Sequence, residues 1–147
     1  MDIVEADNNN FNDWLRMGLL LWPEHTKDDL KKELEKSLAS DSEKTLLCKD
    51  ENGRYIGFQT VSLRNEYVSG AKTSPIGYLE GIYVDNDYRK KGVARKLVEA
   101  AEKWAKEKGC KELASDTWDW NTDSIKFHEK LGFNKVKTLV HFIKSVR

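Results

Sequence analysis

The stretch Leu79-Glu80-Gly81-Ile82-Tyr83-Val84, continued by Asp85-Asn86-Asp87-Tyr88-Arg89-Lys90-Lys91-Gly92-Val93-Ala94, decides how this chain folds. An apolar strand pattern runs into a polar turn and then into a basic, glycine-containing helix start. The first turn of a helix leaves backbone N–H groups without intrahelical partners, and with the helix dipole these make an anion site. Basic residues there oppose the dipole unless an anion or a carboxylate compensates them. The stretch therefore reads as the cradle of a phosphate-bearing ligand, the plain alternative being a basic helix start and nothing more. Gly92 is the only glycine of the turn, so neither the G-x-G-x-x-G of dinucleotide folds nor the G-x-x-x-x-G-K-[ST] of nucleotide-binding loops is present.

Downstream, Val93, Leu97, Val98, Ala101, Trp104 and Ala105 recur at helical spacing, and Gly109 closes the run. Glu112 to Thr117 is a strand candidate, Thr122 to Lys130 a short helix closed by Gly132, and Lys135 to Val146 a final strand or strand pair. Upstream, Met1 to Ala6 suits an edge strand. Asn8-Asn9-Asn10 offers helix caps ahead of Phe11, Trp14, Leu15, Leu19 and Trp22; Pro23 stops that helix. Thr26 opens a second helix with Leu30, Leu34 and Leu38 on one face. Thr45 to Lys49 and Tyr55 to Arg64 form a hairpin in which Asn52-Gly53 supplies positive backbone angles. Asn65 to Pro75 is a long loop. A helix between Val84 and Glu112 implies a βαβ crossover with parallel strands. The expected fold is α/β, with a mixed, mostly antiparallel sheet around a central parallel βαβ unit.

With 147 residues, the chain is most economically one domain, 1–147. Charged residues make up 34% of it, yet 25 basic side chains balance 25 acidic ones, so no global charge favours nucleic acid or an anionic membrane. Met17 to Trp22 is too short to span a bilayer, and the expected location is the cytoplasm. Cys48 and Cys110 lack metal-ligand spacing; a disulfide between them is neither indicated nor excluded, and in a cytosol they are reduced bystanders. No metal is expected.

Arg89-x-x-Gly92-x-Ala94 after a strand resembles the acetyl-coenzyme A loop of the GNAT N-acetyltransferase superfamily, and Phe127-His128-Glu129-Lys130-Leu131-Gly132-Phe133 resembles its second signature. The resemblance implies the GNAT fold and acetyl-coenzyme A as acetyl donor. Backbone amides of Lys90, Lys91, Gly92, Val93, Ala94 and Arg95 are then expected at the pyrophosphate, Ile82, Tyr83 and Val84 along the pantetheine arm, and Asn121 as a further hydrogen-bond partner. The likeness extends over nearly the whole chain and narrows to the small aminoglycoside 6'-N-acetyltransferases. It is carried by Leu21-Trp22-Pro23-Glu24-His25, Tyr67-Val68-Ser69-Gly70, Leu79 to Ile82, Ala114-Ser115-Asp116-Thr117 and Asn121-Thr122, among other segments. By that resemblance Trp22, His25, Tyr67, Glu80 and Asp116 line the acceptor pocket, and the protein is a homodimer that confers aminoglycoside resistance.

Such an acceptor is a polycationic, hydroxyl-rich sugar, which calls for carboxylates and aromatic faces. Taken singly, each residue has a plainer reading. Glu80 is as readily an outward strand carboxylate and Asp116 a turn cap; Trp22 and His25 are more often core and loop residues, and Tyr67 is evenly balanced. Their coincidence favours a pocket. Glu80 is the first candidate for the base that deprotonates the acceptor ammonium and Asp116 the second, with substrate orientation as the alternative role of both. His128 stands where many family members carry a tyrosine that protonates the departing thiolate. Lys137 stands where similar members place an acid at the edge of the acceptor pocket. Two rivals share these features: acetylation of a polyamine or other small cationic amine, and an acyl-coenzyme A sensor without turnover.

Overall fold

A computed structural model describes all residues 1–147, which form two compact units, 1–115 and 116–147. In the first unit the elements run β1 (Asp2–Glu5), α1 (Phe11–Leu21), α2 (Lys27–Ala39), β2 (Glu43–Lys49), β3 (Tyr55–Arg64), β4 (Ile76–Val84), α3 (Val93–Glu107) and β5 (Leu113–Ala114). The sheet order is β1-β2-β3-β4-β5, antiparallel except for the β4–β5 pair that flanks α3.

Side-chain alternation puts one helix layer on each face. Leu47 and Phe58 are paired across β2 and β3 and join Trp14, Leu15, Met17, Leu30 and Leu34 in one buried cluster. The next pair, Cys48 with Gly57, points to the other face, where Leu97 and Val93 of α3 lie over Gly57. Covering both faces explains why β3 is buried from Ile56 to Ser62 without alternation. On α3 the buried residues are the six that the helical spacing singles out.

Several local expectations change in detail. Asn10 precedes α1, but its side chain makes no cap bond; instead it accepts from Asp7 N and donates to the Glu5 carbonyl. Those nearer partners tie the end of β1 to the helix start. Thr26 does cap α2, accepting from Asp29 N at 3.1 Å. In the β2–β3 hairpin only Gly53 has a positive φ, +82°. The turn is closed by Asp50, which accepts from the amides of Asn52 and Arg54, so a three-residue loop ending in a left-handed glycine replaces the two-residue turn.

The strand expected over 112–117 shrinks to Leu113–Ala114. In the second unit α4 (Thr122–Lys130) is capped by Asn121, whose side-chain oxygen accepts from Ser124 N, and the chain leaves it through Gly132 at φ +93°. The strand or strand pair expected over 135–146 is not formed: residues 134–147 are neither helix nor strand. Alternation marks a segment as fit for a sheet, but the strand exists only where a neighbouring backbone completes its hydrogen bonds.

Candidate active site

The first half of the site is built where β4 loses its neighbour. β3 pairs with β4 along its length, but β5 pairs only with Gly77 and Tyr78. From Leu79 onward the other edge of β4 carries no strand, so the backbone of Ile82, Tyr83 and Val84 can take an extended ligand as an added strand. The chain then turns through one 3-10 turn, Asn86–Tyr88, into Lys90 at φ +63° and Gly92 at φ +85°. These left-handed residues swing the chain into α3 without a side-chain cap.

The first backbone bond of α3 runs from Lys96 N to the Gly92 carbonyl, so the amides of Val93, Ala94 and Arg95 precede it. No acid lies in the first turn. A site with uncapped amides, basic side chains and open space where a Gly92 Cβ would stand fits a pyrophosphate group.

Neighbouring side chains brace this turn. Arg89 folds back, its Nε donating to the Val84 carbonyl at 2.9 Å. Tyr88 donates to Asp50 Oδ2 at 2.7 Å, tying the turn to the β2–β3 hairpin. That hydrogen bond is the main reason the Asp50 carboxyl lies below its ordinary value, and it pushes the Tyr88 phenol up. Asp85 is buried between Arg16 and Arg54, at 3.8 and 3.7 Å. Burial, reinforced by a hydrogen bond to Asp85, raises the Tyr83 phenol.

The second half of the site hangs on an irregularity in β4. Thr60 pairs with Gly81 and Val61 with Leu79, leaving Glu80 as the extra residue of a β-bulge. The buried Gln59 amide spans the irregularity, donating to the carbonyls of Thr60 and Gly81 at 2.8 Å each. Glu80 accepts from Ser62 Oγ at 2.6 Å and from one Arg64 nitrogen at 2.7 and 3.1 Å to its two oxygens. Arg64 in turn lies over the Tyr78 ring, 3.4 Å from its centroid.

A cavity of about 290 Å³ opens between these strands and α1–α2, and Trp22, His25, Glu33, Glu43, Thr60 and Glu80 are among its walls. Trp22 does two jobs. Its ring lies 5.7 Å from that of Phe58, at the margin of the core, and it also faces the cavity. His25 stands between Glu24 and Glu33, at 3.4 and 3.5 Å.

Three of the expected acceptor residues, Trp22, His25 and Glu80, thus share one cavity. Tyr67 does not line it; it is 81% exposed on the loop between β3 and β4. That loop is anchored by Glu112, which accepts from the amides of Lys72 and Thr73 and from the Thr73 hydroxyl, and these bonds hold its carboxyl below the ordinary value. Glu33, Glu43 and Arg64 are absent from the sequence reading. Glu33 adjoins the apolar stripe of α2, but Glu43 and Arg64 are ordinary strand-end charges until the register is known.

In the second unit, Asp116 lies beyond the end of β5, and Trp118 and Trp120 after it are each 69% exposed. Asn121 caps α4 as described. His128 has Nδ1 2.7 Å from the Ser124 carbonyl, with its ring set edge-on against Phe127 and Phe133. Lys137 is exposed in the C-terminal segment. Cys48 and Cys110 are free and buried, and burial raises both thiols. No group of three or more His, Cys, Asp or Glu side chains is arranged to hold a metal ion, and no helix is long and apolar enough to cross a membrane.

A mixed sheet that parts beside β4, followed at once by an uncapped basic helix start, suits an acyl-coenzyme A-dependent acyltransferase. The chain belongs to the acetyltransferase (GNAT) family, whose pattern matches residues 10–133. It is 37% identical over 144 residues to an aminoglycoside N(6')-acetyltransferase type 1 of Serratia marcescens, covering 98% of this chain and 99% of that one. A protein of the same name from Acinetobacter genomosp. 13 is 39% identical over 146 residues, covering 99% of each.

Among solved structures, AAC(6')-Iy in complex with the bisubstrate analog CoA-S-monomethyl-acetylneamine matches with a TM-score of 0.94 and 35% identity, over 99% of this chain and 98% of that one. The apo 6'-N-acetyltransferase AAC(6')-IG of Acinetobacter haemolyticus matches with a TM-score of 0.92 and 37% identity over all of both chains.

Proposed function

We propose that this protein transfers the acetyl group of acetyl-coenzyme A to the 6'-amino group of aminoglycosides and so confers resistance to them. The observation that carries the reading is the bulge at Glu80: one strand both turns a carboxylate toward an acid-lined cavity and leads directly into the pyrophosphate-binding turn. Relatives alike over the full length bear the corresponding name.

The reaction forms an amide C–N bond and breaks a thioester C–S bond. The acceptor arrives as an ammonium and must lose a proton before its nitrogen has a lone pair to offer. Glu80 is the proposed proton acceptor, directly or through a water. A carboxylate has about four lone-pair sites, and the bonds from Ser62 and Arg64 fix its orientation while leaving it room for one more partner. Glu33 and Glu43 add negative charge for the remaining ammonium groups, and Trp22 offers a face to a sugar ring. Orientation of the amine against the thioester supplies a further share of the rate.

On the donor side, the amides of residues 90–95 hold the pyrophosphate and the free edge of Ile82–Val84 holds the pantetheine; an amide of that edge polarises the thioester carbonyl. From the sequence resemblance, Asp116 and Tyr67 complete the acceptor site, Asn121 assists the donor, and Lys137 stands at the acceptor edge. The family pattern crosses from one unit into the other, which supports a single acetyltransferase domain over 1–147. We take the protein to be a cytoplasmic homodimer, with no nucleic-acid or membrane partner.

A thiol-release assay with acetyl-coenzyme A and kanamycin, spermidine or no acceptor tests the reading. Turnover with kanamycin well above the other two is expected. Turnover with spermidine alone transfers the reading to polyamines, and donor binding without release in any arm makes the protein a sensor.

A further inference from the structure

Residues 65–75 form the longest connection in the first unit, running from β3 to β4. Arg64 pairs with Ile76, so the sheet fixes both ends of this loop. The loop leaves the sheet on the acceptor side, because Arg64 is also the residue that holds Glu80 at the cavity wall. Inside the loop, Ala71 N donates to the Val68 carbonyl at 2.9 Å and Ser74 Oγ to the Asn65 carbonyl at 3.3 Å. Neither bond reaches the rest of the molecule, and a surface loop of this length moves freely unless something outside it holds it.

Glu112 supplies that hold. Its backbone carbonyl accepts from Gly77 N at 3.2 Å, immediately before Leu113 pairs with the same residue, so Glu112 is seated on the sheet. Its side chain reaches across to the loop, where Oε1 accepts from the amides of Lys72 and Thr73 at 2.8 Å each and from the Thr73 hydroxyl. Three donors on one oxygen suit an ionised carboxylate, since a charged acceptor makes hydrogen bonds about twice as strong as a neutral one. Burial of the loop does not account for this clamp: residues 65–67, 70 and 72–74 are exposed, and Tyr67 is 81% exposed. A large aromatic ring kept in water on a clamped loop adds nothing to the core, but it offers a ready face to a ligand.

We propose that Glu112 is a positioning residue for the acceptor: by clamping Lys72 and Thr73 it fixes the loop 65–75, so that the Tyr67 ring is set to meet a sugar ring of the aminoglycoside. Glu112 touches neither substrate and acts through Tyr67. The gain is preorganisation, because an acceptor that finds the loop already ordered does not bear the entropy of ordering it. This rests on the acceptor role proposed above for Tyr67 and adds the residue that gives Tyr67 its place.

Steady-state kinetics and hydrogen–deuterium exchange on the full chain test it together. Glu112→Ala is expected to melt cooperatively, to speed amide exchange of residues 66–73 about tenfold, and to raise KM for kanamycin about fivefold, with kcat and KM for acetyl-coenzyme A within about twofold of wild type. Glu112→Gln keeps an acceptor oxygen at the same reach and is expected to recover most of both effects. In a Tyr67→Ala background, Glu112→Ala is expected to add less than about twofold to KM, because the two residues act through one contact. Thr73→Val removes one donor from the loop side and is expected to move exchange and kanamycin KM in the same direction; it decides the matter if Glu112→Ala does not fold. A loop that stays protected, a loosened loop with unchanged kanamycin KM, equal losses for both substrates, or KM effects that multiply between Glu112→Ala and Tyr67→Ala each overturn the positioning role. Any of these with normal wild-type turnover of kanamycin overturns that role alone. A wild-type protein that does not turn over kanamycin overturns the functional reading, and the positioning role falls with it.

Discussion

Glu80 owes its position to its neighbours more than to its own identity. The bulge presents it, Ser62 and Arg64 fix the carboxylate, and the Tyr78 ring supports Arg64. Replacing Glu80 with Gln keeps the shape and removes the proposed proton acceptor. We expect kcat/KM for kanamycin to fall at least tenfold, a loss of about 1.4 kcal/mol in transition-state stabilisation. Steady-state kinetics decides it, and near-wild-type values exclude Glu80 from the mechanism. Gly81 is required for another reason: a Cβ there stands 2.6 Å from Trp22 Cζ2. Gly81→Ala should displace the indole, cost about 1–3 kcal/mol of stability and raise KM for kanamycin while leaving KM for acetyl-coenzyme A unchanged. An unaltered kanamycin KM separates Trp22 from the acceptor pocket.

Among the elements, the β2–β3 hairpin and the turn before α3 act as one piece through the Tyr88–Asp50 hydrogen bond. That bond is the largest cause of the lowered Asp50 carboxyl, whose ordinary value is 3.8. A carboxyl depressed in the folded state adds stability that is fully present above its ordinary value and lost as pH falls through the lowered one. Tyr88→Phe should therefore unfold at lower urea than wild type at pH 6, with the gap narrowing as pH drops below 3.8. It should also raise KM for acetyl-coenzyme A, because the turn proposed to hold the pyrophosphate loses a tether. A gap that stays constant from pH 6 to pH 3 removes Asp50 from the account.

At the scale of the whole molecule, the proposed dimer has a consequence for stability. If stability includes association of two copies, the melting temperature rises with protein concentration by mass action. Calorimetry over a hundredfold range of concentration should show that rise in wild type. A concentration-independent melt in wild type marks a monomer. The acidic cavity belongs to a chain of zero net charge, so it depends on where charges are gathered rather than on their balance.

Local patterns carry most of the fold. The apolar spacing of α3, the Thr26 cap and the strand-turn-helix at 79–94 are decided within a few residues, because periodicity, caps and left-handed positions act over one or two turns of chain. The sequence thus determined the order of the elements from β1 to α4, the basic, glycine-containing start of α3 and, through resemblance, the family. Tertiary structure decided what depends on pairing between distant segments. Only the register of β3 on β4 makes Glu80 a bulge residue and gives it Arg64 as a partner, and only packing brings Glu33 and Glu43 to the wall that Trp22 and His25 share. The same holds for 135–146, where the sequence led to the expectation of a strand or strand pair. Whether a strand forms is settled by the presence of a neighbouring backbone, and that lies outside the segment's own sequence.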